Sequence, residues 1–461
     1  MREAVAWVSM ERAVTRRSAL RTAAGAGAGI ALGSGALPAW AKPIADAAGR
    51  VRRPGALPYP NLPEGTPTLP HIEHIVVLML ENHSFDNVLG MLPHRVRARR
   101  GVDGLPVNTR GVVDAWNPDA LGRRVYATHF PSPCQLHERP SQNWNQSHTA
   151  YANGRMSGFV RASGRVAMRF YDERELPFTY GLAAHFPIGQ RYFQSCLGQT
   201  YPNRRFLYAG TASGTLHTLT SELGKYPPPN GTIFDRLDAH GISSISFYQD
   251  VPAPLIVPGT GRPGRFEKLD RFYARAAAGA LPAVSFVDAN FTNTSEENPQ
   301  DVEIGETFLH DVAMALMRSP TWGSTALFVT YDEHGGYYDH VRPPRAIAPD
   351  STPPRLAPGD VPGAYDRYGF RVPLLVVSPW ARRRYVSKIV QDHTSILRFI
   401  ERKYNIGALT LRDANAADMT DYFDFSRPHF ATPPTLPGPP DIGLGLAFCQ
   451  AQGLTPPLPG P

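Results

Sequence analysis

At 461 residues, 42% hydrophobic and 19% charged, with 41 Gly and 46 Pro, the chain can bury one large core or two smaller ones, and its composition excludes a disordered or fibrous protein. The formal net charge is +7, but residues 1–41 hold five Arg against two Glu, leaving 42 of the 47 basic and 38 of the 40 acidic residues in the remainder. So small a bias, with no Lys/Arg run interleaved with aromatics, argues against nucleic acid as a partner.

Residues 1–41 read as a twin-arginine-type export signal. Arg16 and Arg17 precede a Gly- and Ala-rich apolar stretch, Thr22–Leu37, and Ala39-Trp40-Ala41 supplies small residues for cleavage. A membrane anchor is the weaker alternative, because the stretch is short and rich in glycine, and no second hydrophobic span follows. The expectation is therefore an exported protein. Residues 42–70, rich in Pro and Gly, predict an irregular lead-in to a domain over 71–426.

The organising stretch is His71–Leu92. Its apolar, β-branched run Ile75–Leu80 suits a strand covered on both faces, and it empties into Glu81, Asn82 and His83. Open α/β sheets bind ligands at such carboxyl ends. Residues 101–165 lack clear periodicity and predict a long functional loop, or an insertion folding over the sheet, carrying Cys134, His137, Gln142, Trp144 and His148. In Gly198-Gln199-Thr200-Tyr201-Pro202-Asn203-Arg204, the proline suits a first helical turn, which puts the Thr200 hydroxyl near the positive end of a helix, where a phosphate ester would sit. Thr-x-Pro-x-Arg also resembles the nucleophile segment of sulfatases, but threonine cannot be oxidised to their aldehyde hydrate; a direct hydroxyl nucleophile fits phosphoryl transfer.

Further strands are predicted over Ile242–Tyr248, Ala283–Val287, Thr325–Thr330 and Val372–Val377, with helices over Gly305–Arg318 and Asp392–Tyr404. Thr325–Thr330 runs into Tyr331-Asp332-Glu333-His334-Gly335-Gly336, a second set of oxygen and nitrogen donors at a strand end. His393 stands at the start of its helix, as either a substrate-facing imidazole or a neighbour of the cap. This alternation predicts a three-layer α/β sandwich around a central, largely parallel sheet. The three cysteines, Cys134, Cys196 and Cys449, lack metal-ligand spacing; one disulfide is permitted in an exported chain, its pairing open. Residues 427–461 are Pro-rich around one short apolar stretch, Leu444–Cys449, and predict an extended tail lying on the domain or partly disordered.

Five segments in order, ENHSFDNVLG, QTYPNR, TYDEHGGYYDHV, VPLLVVSPW and HTSILRFIE, resemble the bacterial and plant phosphoesterase family that contains non-specific phospholipases C and a secreted acid phosphatase, over about residues 71–425. The resemblance implies an alkaline-phosphatase-like core and one divalent metal ion (calcium, magnesium, manganese or zinc) held by Glu81, Asn82, Asp332 and Glu333. Thr200 is then nucleophile and fifth metal contact, forming a phosphothreonine that water releases. It also implies roles for His148 and His334 in catalysis, and for Gln142, Asn203, Asn298 and His393 toward substrate. Gln142 and Asn298 stand where the family has histidines, and His137 is a candidate substitute; amides still donate hydrogen bonds. The expected substrate is a phosphate ester, with phospholipid diesters and phosphomonoesters both open. A non-catalytic relative that binds metal or phosphate is the third reading.

Overall fold

The computed structural model describes residues 51–135 and 140–453. Residues 1–41, expected to be an export signal, and His137 lie outside them. An eight-stranded sheet forms the centre, with strands β1 His74–Leu80, β2 Ile188–Gly189, β3 Ser244–Tyr248, β4 Phe266–Lys268, β5 Val284–Asp288, β6 Thr325–Tyr331, β7 Leu374–Val377 and β8 Val386–Ser387. Their order is β8-β2-β7-β6-β1-β5-β3-β4. All neighbours are parallel except across β7, which runs against β6 and β2. The architecture is α/β with a mixed, mostly parallel sheet, as its apolar runs predict.

β1 and β6 lie at the middle. Six of seven residues in β1 and all seven in β6 are buried. Since successive side chains alternate between faces, both faces are covered. The covering helices that matter for the site are α1 Trp144–Tyr151, α2 Pro177–His185, α3 Thr200–Ala209, α4 Val302–Met317 and α5 His393–Tyr404. α3 packs on α5, and α4 packs on α2.

Local chemistry fixes where these helices begin and end. In α3, Gln199 is the N-cap, Pro202 sits in the first turn, and Gly210 ends the helix with φ at +70°. A side chain at Gly210 would be strained by that φ and would meet Thr410 Oγ1 at 2.9 Å. Asp392 caps α5, its side chain and that of Ser395 exchanging bonds with each other's backbone N–H. The stretch at 101–165 is not all loop: it contains α1, whose N-cap Asn143 accepts from the Gln146 N–H.

The C-terminal stretch also departs from expectation. It holds a helix, α6 Ile442–Ala451, bounded by the proline runs that made the sequence look extended. Cys449 on α6 forms a disulfide with Cys134, with Cα atoms 5.5 Å apart. Cys196 is free and buried; burial pushes its thiol up to about 12, so it is inert. Among the described residues, no helix is long and apolar enough to cross a membrane.

Candidate active site

Two adjacent strands deliver the acidic corner. β1 and β6 are parallel and in register at Leu80 and Tyr331, so the next residues, Glu81 and Asp332, emerge side by side. The Asp332 N–H donates to the Leu80 carbonyl at 3.1 Å, extending the ladder by one bond. Glu81 is 3% exposed, and Asp332 and Glu333 are fully buried. The Glu81–Asn82 peptide is cis.

α3 brings the opposite charge. Thr200 and Arg204 are one turn apart and share a face of the helix. Arg204 Nε lies 3.0 Å from Asp332 Oδ2, and its terminal nitrogens lie 3.4 Å from Glu81 Oε1 and 3.5 Å from Asp288 Oδ1. One buried guanidinium thus gathers the ends of β1, β5 and β6. Arg204 and Asp288 have no place among the residues expected to act. Arg204 is the arginine of the Thr-x-Pro-x-Arg segment, but its role depends on which strands are neighbours.

Asn82 completes the set. One atom of its side-chain amide lies 2.7 Å from Asp332 Oδ1, 2.9 Å from Glu333 Oε1 and 3.4 Å from Thr200 Oγ1. As nitrogen, that atom donates to both carboxylates. As oxygen, it joins them in a group of hard donors that is stable only around a cation, at spacings suited to ligands about 2.0–2.2 Å from one small divalent ion. Charge points the same way. Burial pushes Glu81 and Glu333 well above the usual carboxylate range, and their acidic neighbours, Asp332 among them, add to it. Asp332 and Asp288 are each pushed by burial to about 6 against the pull of Arg204. Four buried carboxylates facing one guanidinium lack positive charge, so the donor set fits a divalent cation.

Thr200 is 8% exposed and lines a cavity of about 660 Å³. Glu81, Arg204 and Glu297 are its charged walls on this side; Tyr201, Pro252, Ile256 and Phe291 are among its apolar ones. A polar reaction corner therefore opens into a mainly apolar space.

The other expected residues fall in different places. His393 does not face the cavity: it is fully buried, its Nδ1 3.0 Å from the Tyr192 hydroxyl and its Nε2 2.7 Å from the Asp332 carbonyl, so both nitrogens are used in holding the end of β6. Asn203 is likewise consumed, its Oδ1 accepting from the Cys196 N–H and its Nδ2 donating to the carbonyls of Gly198 and Gln199, which fixes the turn before Thr200. His334 is fully buried, its Nδ1 3.1 Å from Glu333 Oε2 and its ring against Phe159 and Phe370. Burial pushes it down to about 3, which keeps the ring neutral. His148 lines a separate cavity with Tyr151, Arg345 and Arg367, its Nδ1 2.7 Å from the Trp144 carbonyl. Asn298 donates to the Tyr337 hydroxyl at 3.2 Å, and the Gln142 carbonyl accepts from Ser147 Oγ at 2.9 Å. None of these six residues lines the Thr200 cavity. His393 and Asn203 are held by packing that sequence adjacency does not reveal, whereas both ring nitrogens of His334 are buried without a hydrogen-bond partner among the described residues.

A model of the phosphoesterase family matches residues 72–407. Similar curated proteins include a non-hemolytic phospholipase C of Pseudomonas aeruginosa, 29% identical over 420 residues, covering 80% of this chain and 59% of that one. Non-specific phospholipase C6 of Arabidopsis thaliana is 30% identical over 402 residues, covering 79% and 75%. Phospholipase C B of Mycobacterium tuberculosis is 30% identical over 441 residues, covering 80% and 81%. The chain thus spans less than two thirds of the Pseudomonas relative and three quarters or more of the other two. Among solved structures, an alkaline phosphatase superfamily protein from Vibrio parahaemolyticus aligns over 62% of this chain and 71% of its own, at 11% identity and a TM-score of 0.34. With the family model matched from β1 through α5, this chain belongs to the phosphoesterase family, hydrolases of phosphoric esters.

Proposed function

We propose that this is an exported, metal-dependent phosphoesterase of the phospholipase C type, which cleaves phosphodiesters with an apolar leaving group through a phosphothreonine. One observation carries the reading: Thr200 stands at the junction between a buried, charge-deficient donor set and an apolar cavity. The names of the Pseudomonas, Arabidopsis and Mycobacterium relatives support a phospholipid diester, and Arg16-Arg17 with its apolar stretch supports export.

Glu81, Asn82, Asp332 and Glu333 would hold one divalent ion, with Thr200 beside them. When bound, that ion supplies Lewis acidity toward a phosphoryl oxygen and lowers the proton affinity of a neighbouring hydroxyl. Thr200 Oγ1 forms a bond to phosphorus in line with the leaving oxygen, whose bond breaks; its proton passes to water, and the departing alkoxide takes one from water. A second water then attacks the phosphothreonine, restoring the hydroxyl and releasing the phosphorylated headgroup. Thr200 is the first residue of a ten-residue helix, so charge growing on the phosphoryl group meets the positive end of its dipole. Arg204 positions Asp332 and Glu81. A phosphomonoesterase would use the same residues; the apolar cavity favours the diester.

Replacing Thr200 by Val is expected to lower turnover of phosphatidylcholine at least about 10³-fold with the fold intact. Undiminished turnover in T200V contradicts the nucleophile, and faster hydrolysis of nitrophenyl phosphate than of lipid by the parent contradicts the substrate class. A metal-loaded parent that turns over neither ester is a binding protein.

A further inference from the structure

The Thr200 cavity opens through an apolar rim. Leu223, Val251 and Leu255 line it yet are 43%, 54% and 40% exposed, and Leu219, between the lining residues Thr218 and Thr220, is 48% exposed. Three of the thirteen exposed large hydrophobic residues among those described therefore line one opening, and Leu219 stands in the chain between two more of its lining residues. Scattered singly they would need no explanation; gathered around a reaction cavity they mark a contact surface.

The rim is built, not loose. Arg205, 1% exposed, donates from Nη1 to the carbonyls of Ile256 at 2.6 Å and Lys225 at 3.3 Å, and from Nη2 to the Tyr226 carbonyl, so one guanidinium on α3 pins both rim loops. The second loop is also tied at its base, where the Ala253 N–H donates to Asp288 Oδ2 at 3.0 Å. Arg204 and Arg205, adjacent in sequence, thus fix the reaction corner and its opening to the same helix. The charged residues beside the rim, Glu222, Lys225, Asp250, Arg355 over the Tyr226 ring and Lys268 on the Gln249 carbonyl, are of mixed sign, so the apolar side chains set the attraction to this surface.

We propose that the rim of Leu219, Leu223, Val251 and Leu255 seats on a zwitterionic phospholipid bilayer, turning the Thr200 cavity toward the membrane so that a lipid ester reaches Thr200 without entering bulk water. This rests on the phospholipid reading above. Binding of this kind is insensitive to salt, unlike attraction to anionic lipid.

The test is sedimentation of the full, metal-loaded chain, carrying Thr200→Val to prevent turnover, with phosphatidylcholine vesicles. The T200V protein is expected to sediment equally at about 0.05 and 0.5 M salt. Adding Val251→Asp and Leu255→Asp is expected to weaken partitioning at least about tenfold, and Leu219→Ser with Leu223→Ser, on the other loop, about threefold. The proposal is overturned if the T200V protein stays in the supernatant, if it binds only anionic vesicles and salt releases it, or if both rim variants bind as it does. A T200V dimer that becomes monomeric in the rim variants overturns it too, since a second copy then covers the rim. Failure of the Thr200 parent to hydrolyse lipid and soluble ester alike would sink the functional reading instead, and sedimentation separates the two failures.

Discussion

Two acidic clusters follow β1 and β6, and they are built in opposite ways. Asp86, Asp103 and Asp339 are matched by Arg371, His340 and Arg191: Arg371 lies 2.9 Å from Asp339 Oδ1 and 3.0 Å from Asp86 Oδ1, His340 bridges Asp86 at 2.6 Å and Asp103 at 3.0 Å, and Arg191 holds Asp103 at 2.6 Å. Glu81, Asp288, Asp332 and Glu333 face Arg204 and two buried imidazoles, His334 and His393, pushed by burial down to about 3 and about 4. Donor atoms of Asp86, Asp339 and His340 lie within 4.8 Å of one another, as do those of His129, Asp172 and Glu175; Glu81, Asp332 and Glu333 are not such a group among the described residues. Compactness alone would choose one of the closed clusters. The closed clusters are tight because cations of the chain already neutralise them, including Arg95 and Arg174 around Asp172. The open one borders a cavity and lacks positive charge.

The largest way to break this contrast is Arg371→Met. It leaves Asp86 and Asp339 buried without their cation and is expected to cost about 3–5 kcal/mol in denaturant unfolding; a loss under 1 kcal/mol would mean the closed cluster is not charge-balanced. Next comes removal of metal from the open cluster. A chelator should destabilise the loaded protein by about 2.7 kcal/mol relative to free ion at one hundred times its dissociation constant, and an unmoved melting curve would argue against a resident ion.

His340 sharpens the comparison through pH. Burial disfavours its charge, but Asp86 and Asp103 outweigh it and lift its pKa to about 10. A raised folded-state value means its stabilisation is complete below about pH 6.5 and is lost as pH rises through about 10. His340→Gln should therefore cost about 2 kcal/mol at pH 6 and little above pH 10; a gap that does not change with pH contradicts the ion pair. The smallest effect has the opposite sign. In metal-free protein, Glu333→Gln relieves the excess of buried negative charge and should stabilise the fold by about 1 kcal/mol near pH 7.5, whereas destabilisation would mean the corner is already balanced without an ion.

Much of this is legible in the sequence. Continuous β-branched runs mark β1 and β6, and the donors beyond them, Glu81-Asn82 and Asp332-Glu333, stand out because buried strands seldom end in clustered acids and amides. What the sequence withholds is register and direction. Arg204 matters only because Leu80 and Tyr331 are paired neighbours, and His393, placed like a substrate imidazole, spends both nitrogens on Tyr192 and Asp332. His148 lies in the stretch expected to be functional but opens on another cavity. The pairing of Cys134 with Cys449 spans 315 residues, and α6 is hidden by the prolines on either side of it.

The most direct test of the contrast is the number of divalent ions bound per chain, measured by elemental analysis and calorimetric titration in the parent, Glu333→Gln, Asp332→Asn and Asp339→Asn. One ion is expected in the parent and in D339N, and none in E333Q or D332N. An ion retained by E333Q and D332N but lost from D339N would place the metal in the closed cluster and contradict this account.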